Sequence, residues 1–132
     1  MSDKYIHKKG IVYLNQYHVI FCPKYRRKVL VDDVEKDLRK IFYEVAKKND
    51  IEIKALEIMP DHVHLFISLD PRLHIHKIIR EFKGVSSRIL REKHPSLKSR
   101  LPSLWTRSYF CCTVGNISEK AVMKYIENQK NV

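Results

Sequence analysis

Glycine, cysteine and long apolar runs are scarce in this sequence, and each scarcity excludes a class of protein. Only 3 glycines and 5 prolines among 132 residues argue against a linker-rich chain. No stretch approaches the roughly 18 consecutive apolar residues of a membrane span, and the N-terminal MSDKYIHKKG has no apolar segment typical of a secretion signal. We therefore expect a soluble, cytoplasmic protein.

The three cysteines, Cys22, Cys111 and Cys112, do not form a recognisable pattern. An odd number with two adjacent members fits neither a disulfide framework nor the C-x2-C spacing of a zinc site. Reduced, structural thiols are the prediction.

Positive charge is in clear excess. The 26 Lys and Arg against 15 Asp and Glu give a formal net charge of +11, which suggests a polyanionic partner such as nucleic acid or an anionic membrane. The 44% hydrophobic content is enough for a packed core, so the charge indicates a basic surface and not a disordered chain. The length favours one domain that covers residues 1–132.

Hydrophobic periodicity and turn residues predict seven elements in the order β-α-β-β-α-β-α. The predicted strands are 10–22, 51–59, 62–69 and 104–114. The predicted helices begin at Asp32 or Asp33, at an Asp70 N-cap followed by Pro71, and at a Ser118 N-cap; Gly115 and Asn116 form a turn before the last. This order predicts an α+β, ferredoxin-like (split βαβ) fold with a four-stranded antiparallel sheet. Its two helices lie on one face, the C-terminal helix is additional, and the other face is free for a ligand.

Two histidines lie inside the third predicted strand. Side chains alternate along a strand, so His62 and His64 share one face while Val63 points to the core. Residues two apart are roughly 6.5 to 7 Å apart, which allows both rings to approach one cation. On spacing alone, two half-exposed histidines without a ligand remain an equal alternative. His74 and His76 have the same spacing on a helix, where roughly 200 degrees separates them, so they cannot share a metal.

Tyr125 and Gln129 are four residues apart in the last helix and so lie on one of its faces. A phenol and a carboxamide therefore stand side by side. Taken alone, the pattern is more typical of a tyrosine that packs beside an apolar stripe.

Five ordered blocks resemble the single-tyrosine HUH transposases of small prokaryotic insertion sequences. They are PDHVHLF at 60–66, CPKYRRK at 22–28, KGVSSR at 83–88, LW at 104–105 with YF at 109–110, and YIENQ at 125–129. The resemblance runs from about Tyr13 to Gln129, nearly the whole chain.

The resemblance implies that His62, His64 and Gln129 bind a divalent metal and that Tyr125 is the nucleophile. Tyr125 would attack single-stranded DNA beside imperfect hairpins at the element ends, leaving a 5′-phosphotyrosine and a free 3′-hydroxyl. It also implies a homodimer whose active sites are shared between subunits. Neutral nitrogen and amide ligands fit Mn²⁺, and phosphate oxygens would improve the site for Mg²⁺, so we expect either metal to serve. Asp61 could orient a histidine or cap the turn.

Basic and aromatic residues indicate where DNA would bind. The candidates are Lys24, Tyr25, Arg26, Arg27 and Lys28 in one loop, with Lys83 and Arg88 on the second helix. For any single member, a solvated surface residue is the simpler interpretation, and Trp105 is expected to pack in the core more readily than to stack on a base.

Two other functions compete with the transposase. A replication initiator or relaxase would use the same HUH chemistry, but such proteins are commonly larger. An RNA-recognition-like binding module shares the element order. Its K/R-G-F/Y-G/A-F-V-x-F/Y pattern is absent from the third strand, which reads HVHLFISL.

Overall fold

The structure, a computed structural model, describes residues 4–113 and 118–132. Its strands are β1 (Ile6–Lys8), β2 (Ile11–Tyr13), β3 (Gln16–Phe21), β4 (Glu52–Met59), β5 (His62–Ser68) and β6 (Phe110–Thr113). Its helices are α1 (Asp32–Lys48), α2 (Ile75–Lys93), α3 (Pro95–Arg100) and α4 (Glu119–Glu127). None of the helices described is long and apolar enough to cross a membrane.

The main sheet has the strand order β4-β5-β3-β6, and every neighbouring pair is antiparallel. This is the split βαβ arrangement, which confirms the predicted α+β fold. One face packs against α1 and α2 through alternate residues such as Val19, Phe21 and Leu65. The opposite face is only partly free, because Ile126 of α4 packs there against Ile20 of β3.

The predicted first strand is two strands with separate partners. Residues 11–13 pair with β1 in a small hairpin, whose turn uses Gly10 at a φ of 81°, and only Gln16–Phe21 enters the main sheet. The partner of a strand lies in a different segment of the chain, so the apolar run of 10–22 does not reveal that its two halves pair with different strands.

The predicted caps of the two long helices are wrong. Val31 precedes α1, and Asp32 and Asp33 occupy its first turn, where acidic charge complements the helix dipole. The helix α2 begins at Ile75, four residues after Pro71, because the carboxylate of Asp70 accepts hydrogen bonds from Arg72 instead. Such local side-chain bonding stabilises a turn at the expense of helix. The Ser118 cap of α4 is confirmed by the bond from the Ala121 amide, 3.2 Å long.

Of the described residues in the predicted strand 104–114, Phe110–Thr113 pair in the main sheet, and Trp105 makes an isolated bridge with Pro23. Trp105 lies in the core, as expected: its indole nitrogen donates to Ser86 Oγ at 2.9 Å, and its ring meets Phe21 edge-on. The segment 95–100, predicted as a connection, forms α3 with Pro95 in its first turn. Val114 and the predicted turn at 115–116 lie outside the described residues.

Candidate active site

The two histidines of β5 lie on the sheet face that α4 partly covers. Val63, Leu65 and Ile67 are buried against α1 and α2, and the alternation leaves His62 and His64 half-buried on the other side. They border a cavity of about 360 Å³ lined by Ile20, Glu57, His62, His64, Glu119, Val122, Met123 and Ile126. The predicted shared face is therefore present, next to the helix that carries Tyr125. In the other H-x-H motif only His76 lies on a helix, because His74 precedes the first residue of α2 in an extended conformation, and His76 bonds to Tyr109.

His62 is held by its sequence neighbour. Its Nδ1 lies 2.8 Å from Oδ1 of Asp61, and the other carboxylate oxygen of Asp61 lies 3.2 Å from Nε of Arg26. A carboxylate only accepts, so Nδ1 of His62 carries the hydrogen, and Nε2 is the ring nitrogen that points away from Asp61 and could bind a metal. Metal-binding histidines are commonly oriented by such a bond. Asp61 thus orients a histidine, one of the two roles expected for it.

His64 has a partner that the sequence did not indicate. Nδ1 of His18 lies 3.0 Å from Nε2 of His64, and the His18 ring stacks on Phe66 with 4.2 Å between the centroids. Burial lowers the pKa of both imidazoles, and His18 lowers that of His64 further. Both rings are therefore neutral near pH 7, which is the form that binds metal. Only the pairing of β3 with β5 brings His18 to this place.

Tyr125 and Gln129 form a second cluster around Ser108. The Ser108 hydroxyl lies 2.8 Å from the Tyr125 hydroxyl and donates to Oε1 of Gln129 at 3.2 Å. Helix α4 ends at Glu127, so Gln129 lies beyond it and is buried. Burial raises the pKa of Tyr125, and the hydrogen bond with Ser108 partly offsets this. The predicted neighbours are therefore together, joined by a serine that the sequence analysis did not single out.

The two clusters are apart within one chain. His64 pairs with Ile20 and Ile20 with Phe110, while the Tyr125 ring lies beside Phe110 with 5.9 Å between centroids. Two strand spacings amount to roughly 10 Å. Over residues 4–113 and 118–132, no hydrogen bond or ring contact joins Tyr125 or Gln129 to the histidines.

A divalent metal fits the His62 and His64 cluster better than the cluster of Tyr125, Gln129 and Ser108. Two imidazoles on one face, one of them with no hydrogen bond to its Nε2 from any described residue, are suitable donors for a divalent cation. Gln129 of the same chain faces Ser108 and does not add to them. In the part of the chain that is described, no three His, Cys, Asp or Glu residues come close enough to hold a metal by themselves.

The predicted DNA-binding residues divide into two groups. Tyr25, Arg27, Lys28 and Arg88 are exposed, and Lys24 is half-buried with its ammonium 5.1 Å from the Tyr25 ring centroid. Lys83 was expected to be a solvated surface residue, but it is half-buried. Its Nζ donates to the carbonyls of Thr106 at 2.6 Å and Ser108 at 3.1 Å, and burial lowers its pKa to about 8. Arg26 is likewise engaged within the protein.

Sequence comparison gives concordant relatives. The family model described as "Transposase IS200 like" matches residues 11–129. The chain is 40% identical over 123 residues to the ISDra2 transposase TnpA of Deinococcus radiodurans, covering 92% of this chain and 88% of that protein. It is 28% identical over 116 residues to the transposase for insertion sequence element IS200 of Salmonella typhimurium, covering 86% and 76%.

Solved structures share the fold. A crystal structure described as a transposase from Deinococcus radiodurans superposes with a TM-score of 0.88 at 37% identity, covering 96% of this chain and 99% of that chain. A REP-associated tyrosine transposase bound to a REP hairpin has a TM-score of 0.57 at 17% identity, covering 98% and 70%, which shows the fold alone. Because the family model spans most of the sequence and the 40% identical relative is covered nearly throughout, this chain belongs to the IS200-like transposase family.

Proposed function

We propose that this transposase cleaves and rejoins single-stranded DNA at insertion-sequence ends, with Tyr125 as nucleophile and His62, His64 and Gln129 as metal ligands. The observation that carries the proposal is the histidine pair on one face of β5, in which Asp61 orients His62 and the helix of Tyr125 borders both rings. Family membership supplies the class of reaction, and this placement supports the roles of the residues.

The covalent step conserves the phosphodiester. The Tyr125 hydroxyl oxygen attacks phosphorus and gives up its proton to a base, and a new oxygen–phosphorus bond forms as the bond to the DNA 3′-oxygen breaks. The 3′-oxygen takes up a proton, and the 5′-phosphate stays on the tyrosine. Attack by another 3′-hydroxyl reverses the step, so strands can be rejoined without ATP. Since burial raises the pKa of Tyr125, the residue is a phenol at neutral pH and needs help to ionise.

The divalent cation would be Mg²⁺ or Mn²⁺, and when bound it supplies positive charge to the phosphate and the ionising phenol. His62 holds its Nε2 available through the Asp61 bond. His64 contributes a neutral ring once its contact with His18 is given up. Gln129 offers an uncharged amide oxygen, so the ligand set would leave the charge of the cation undiminished.

We propose further that the active site is shared between two subunits. In one chain Tyr125 and Gln129 are bound to Ser108, while the cavity beside the histidines is bordered by Val122, Met123 and Ile126 of the same helix. A homodimer in which α4 of one subunit lies beside the histidines of the other would bring the nucleophile and the metal ligands together. The DNA would carry hairpins, as in the fold-related transposase bound to a REP hairpin.

A cleavage assay tests the nucleophile. Labelled single-stranded DNA from the element ends is incubated with Mg²⁺ or Mn²⁺ and with wild-type protein, Tyr125→Phe, or Tyr43→Phe as an exposed control on α1. We expect a denaturation-resistant adduct with wild type and Tyr43→Phe only. An adduct that persists in Tyr125→Phe refutes the nucleophile. Zn²⁺ as the only metal that restores stripped protein refutes the metal assignment, and binding without any adduct favours a nucleic-acid-binding module.

Subunit mixing tests the shared site. His64→Ala and Tyr125→Phe proteins are each expected to be inactive, whereas their heterodimer would contain one complete site. Recovery of cleavage on mixing supports assembly between subunits. No recovery in verified heterodimers would show that the tyrosine and the histidines act within one chain.

A further inference from the structure

The basic loop that follows β3 contains one arginine whose contacts differ from those of its neighbours. We propose that Arg26 is a positioning residue, which fixes the ring of His62 through Asp61 and connects it to the end of α4, and is not a DNA contact. The inference rests on the proposed function, because it concerns the histidine that the proposal assigns to the metal.

The contacts form a continuous polar chain. Arg26 Nε lies 3.2 Å from Asp61 Oδ2, and Asp61 Oδ1 lies 2.8 Å from His62 Nδ1. A terminal nitrogen of the same guanidinium donates to the backbone carbonyl of Ile126 at 3.4 Å. Ile126 is the residue after Tyr125 and is buried against Ile20 and Cys22. One planar side chain therefore contacts both the support of His62 and the helix that carries the tyrosine.

The loop backbone turns Arg26 toward these partners. Tyr25 and Arg26 have φ values of 59° and 51°, in the left-handed region that disfavours residues other than glycine. Such a conformation persists where surrounding bonds determine it, and it is concentrated at functional sites. Here the amides of Lys24, Tyr25 and Arg26 donate to backbone oxygens of Leu104, Val132 and Pro23, each at 2.8 Å. The result is an inward Arg26 between exposed neighbours, Tyr25 and Arg27.

Geometry explains why an arginine is present. A guanidinium presents several donors in a rigid plane, so it can bind the Asp61 carboxylate and the Ile126 carbonyl at once. The side chains of Asp61 and Arg26 are only 18% and 28% exposed, which limits competition from solvent. Lysine would keep the charge but would lose the rigid planar arrangement of donors.

Arg27 is a matched control for the test. It is exposed in the same loop and, among the residues that the structure describes, its side chain makes no hydrogen bond or ion pair. Arg26→Gln and Arg27→Gln remove the same charge from adjacent positions. A role in DNA binding predicts similar effects of the two substitutions, whereas a positioning role predicts different ones.

Three measurements distinguish these roles. Long-range ¹H–¹⁵N spectra of the metal-free protein report the His62 tautomer, calorimetry reports Mn²⁺ binding without DNA, and anisotropy in EDTA reports binding of a single-stranded hairpin over a salt series. We expect Arg26→Gln to shift the tautomer and weaken Mn²⁺ binding about tenfold, as loss of an outer-shell partner does. DNA affinity in EDTA should stay within twofold. Arg27→Gln should weaken DNA binding and change neither the ring nor the metal.

The opposite pattern overturns the inference: Arg26→Gln would behave as Arg27→Gln in the salt series and leave the His62 ring and Mn²⁺ affinity unchanged. If wild type binds no Mn²⁺, the proposed metal site fails, but the tautomer still decides the role of Arg26 because it is read without metal. If Arg26→Gln does not fold, Arg26→Lys and Asp61→Asn take its place. A His62 spectrum unchanged in both would refute the positioning role.

Discussion

The hydroxyl of Ser108 lies 2.8 Å from the hydroxyl of Tyr125 and also donates to Gln129. One small side chain between Thr106 and β6 thereby holds the two residues of the C-terminal segment that the proposed chemistry requires. Lys83 of α2 in turn holds the connection that carries Ser108, by donating to the carbonyls of Thr106 and Ser108. The position and the pKa of the Tyr125 hydroxyl therefore depend on Ser108, which lies outside the helix that carries the tyrosine.

Replacing Ser108 by alanine should raise the pKa of Tyr125 further. When the phenol ionises, Ser108 can turn its proton to the phenolate, and alanine cannot. The ¹³Cζ resonance of Tyr125 followed against pH gives the pKa, and Ser87→Ala, half-buried on α2, is the control. The substitution should also cost about 0.5–1.5 kcal/mol of stability in urea. A Tyr125 pKa that is unchanged or lower in Ser108→Ala would contradict the prediction.

The raised pKa of Tyr125 also predicts the direction in which the free energy of unfolding changes at alkaline pH. In the unfolded chain a tyrosine loses its proton near pH 10, while the folded protein keeps it to higher pH. The unfolded state then binds fewer protons, so this group makes stability fall as pH rises above about 10. Tyr125→Phe should show a shallower decline than wild type in urea melts from pH 9 to 11. Equal slopes would argue against the shift.

Lys83 should have the opposite effect at lower pH. Burial lowers its pKa to about 8, so between that value and the unfolded value near 10.4 the unfolded state binds the extra proton. Stability due to this group therefore rises with pH over that window and is absent below it. Lys83→Met should flatten the rise in urea melts between pH 7 and 9.5, while Lys77→Met, exposed on the same helix, should not. A slope unchanged in Lys83→Met would contradict the assignment.

Arg88 and Lys83 should differ in DNA binding. A residue that contacts one phosphate contributes roughly 0.7 to the slope of log affinity against log salt for single strands. Exposed Arg88 can make this contact, whereas the ammonium of Lys83 is bound to two carbonyls. Arg88→Gln should lower the slope by about that amount, and Lys83→Gln should leave it unchanged. The reverse result would show that Lys83 leaves its carbonyls to bind DNA.

Cys22 should report the opening of α4. It is fully buried beneath Ile126, and burial raises the pKa of its thiol to about 12. In a protein with Cys111 and Cys112 replaced by serine, iodoacetamide should label Cys22 very slowly. Ile126→Ala should increase the labelling rate by a larger factor than it increases the equilibrium constant for global unfolding. The reason is that Ile126 is the buried residue of α4, so its loss favours local opening of that helix. Labelling that follows global unfolding in both proteins would show that α4 does not open separately.

Local chemistry made much of the site predictable. The alternation of β5 placed His62 and His64 on one face, and Ser118 capped the last helix, because each depends on residues a few positions apart. The start of α2 was wrong for the same kind of reason: Asp70 can cap a helix or close a turn, and Arg72 decides for the turn.

The sequence by itself determined the order of the strands and helices of the split βαβ core, the basic surface and the face shared by the two histidines, since composition and short periodicity carry that information. Only the tertiary structure decided that His18 meets His64, that Ser108 holds Tyr125 and that Arg26 supports Asp61. His18 and His64 are 46 positions apart and are brought together by strand pairing, whereas Ser108 and Tyr125 are 17 positions apart and meet because α4 packs on the open face of the sheet. No local sequence pattern encodes either contact.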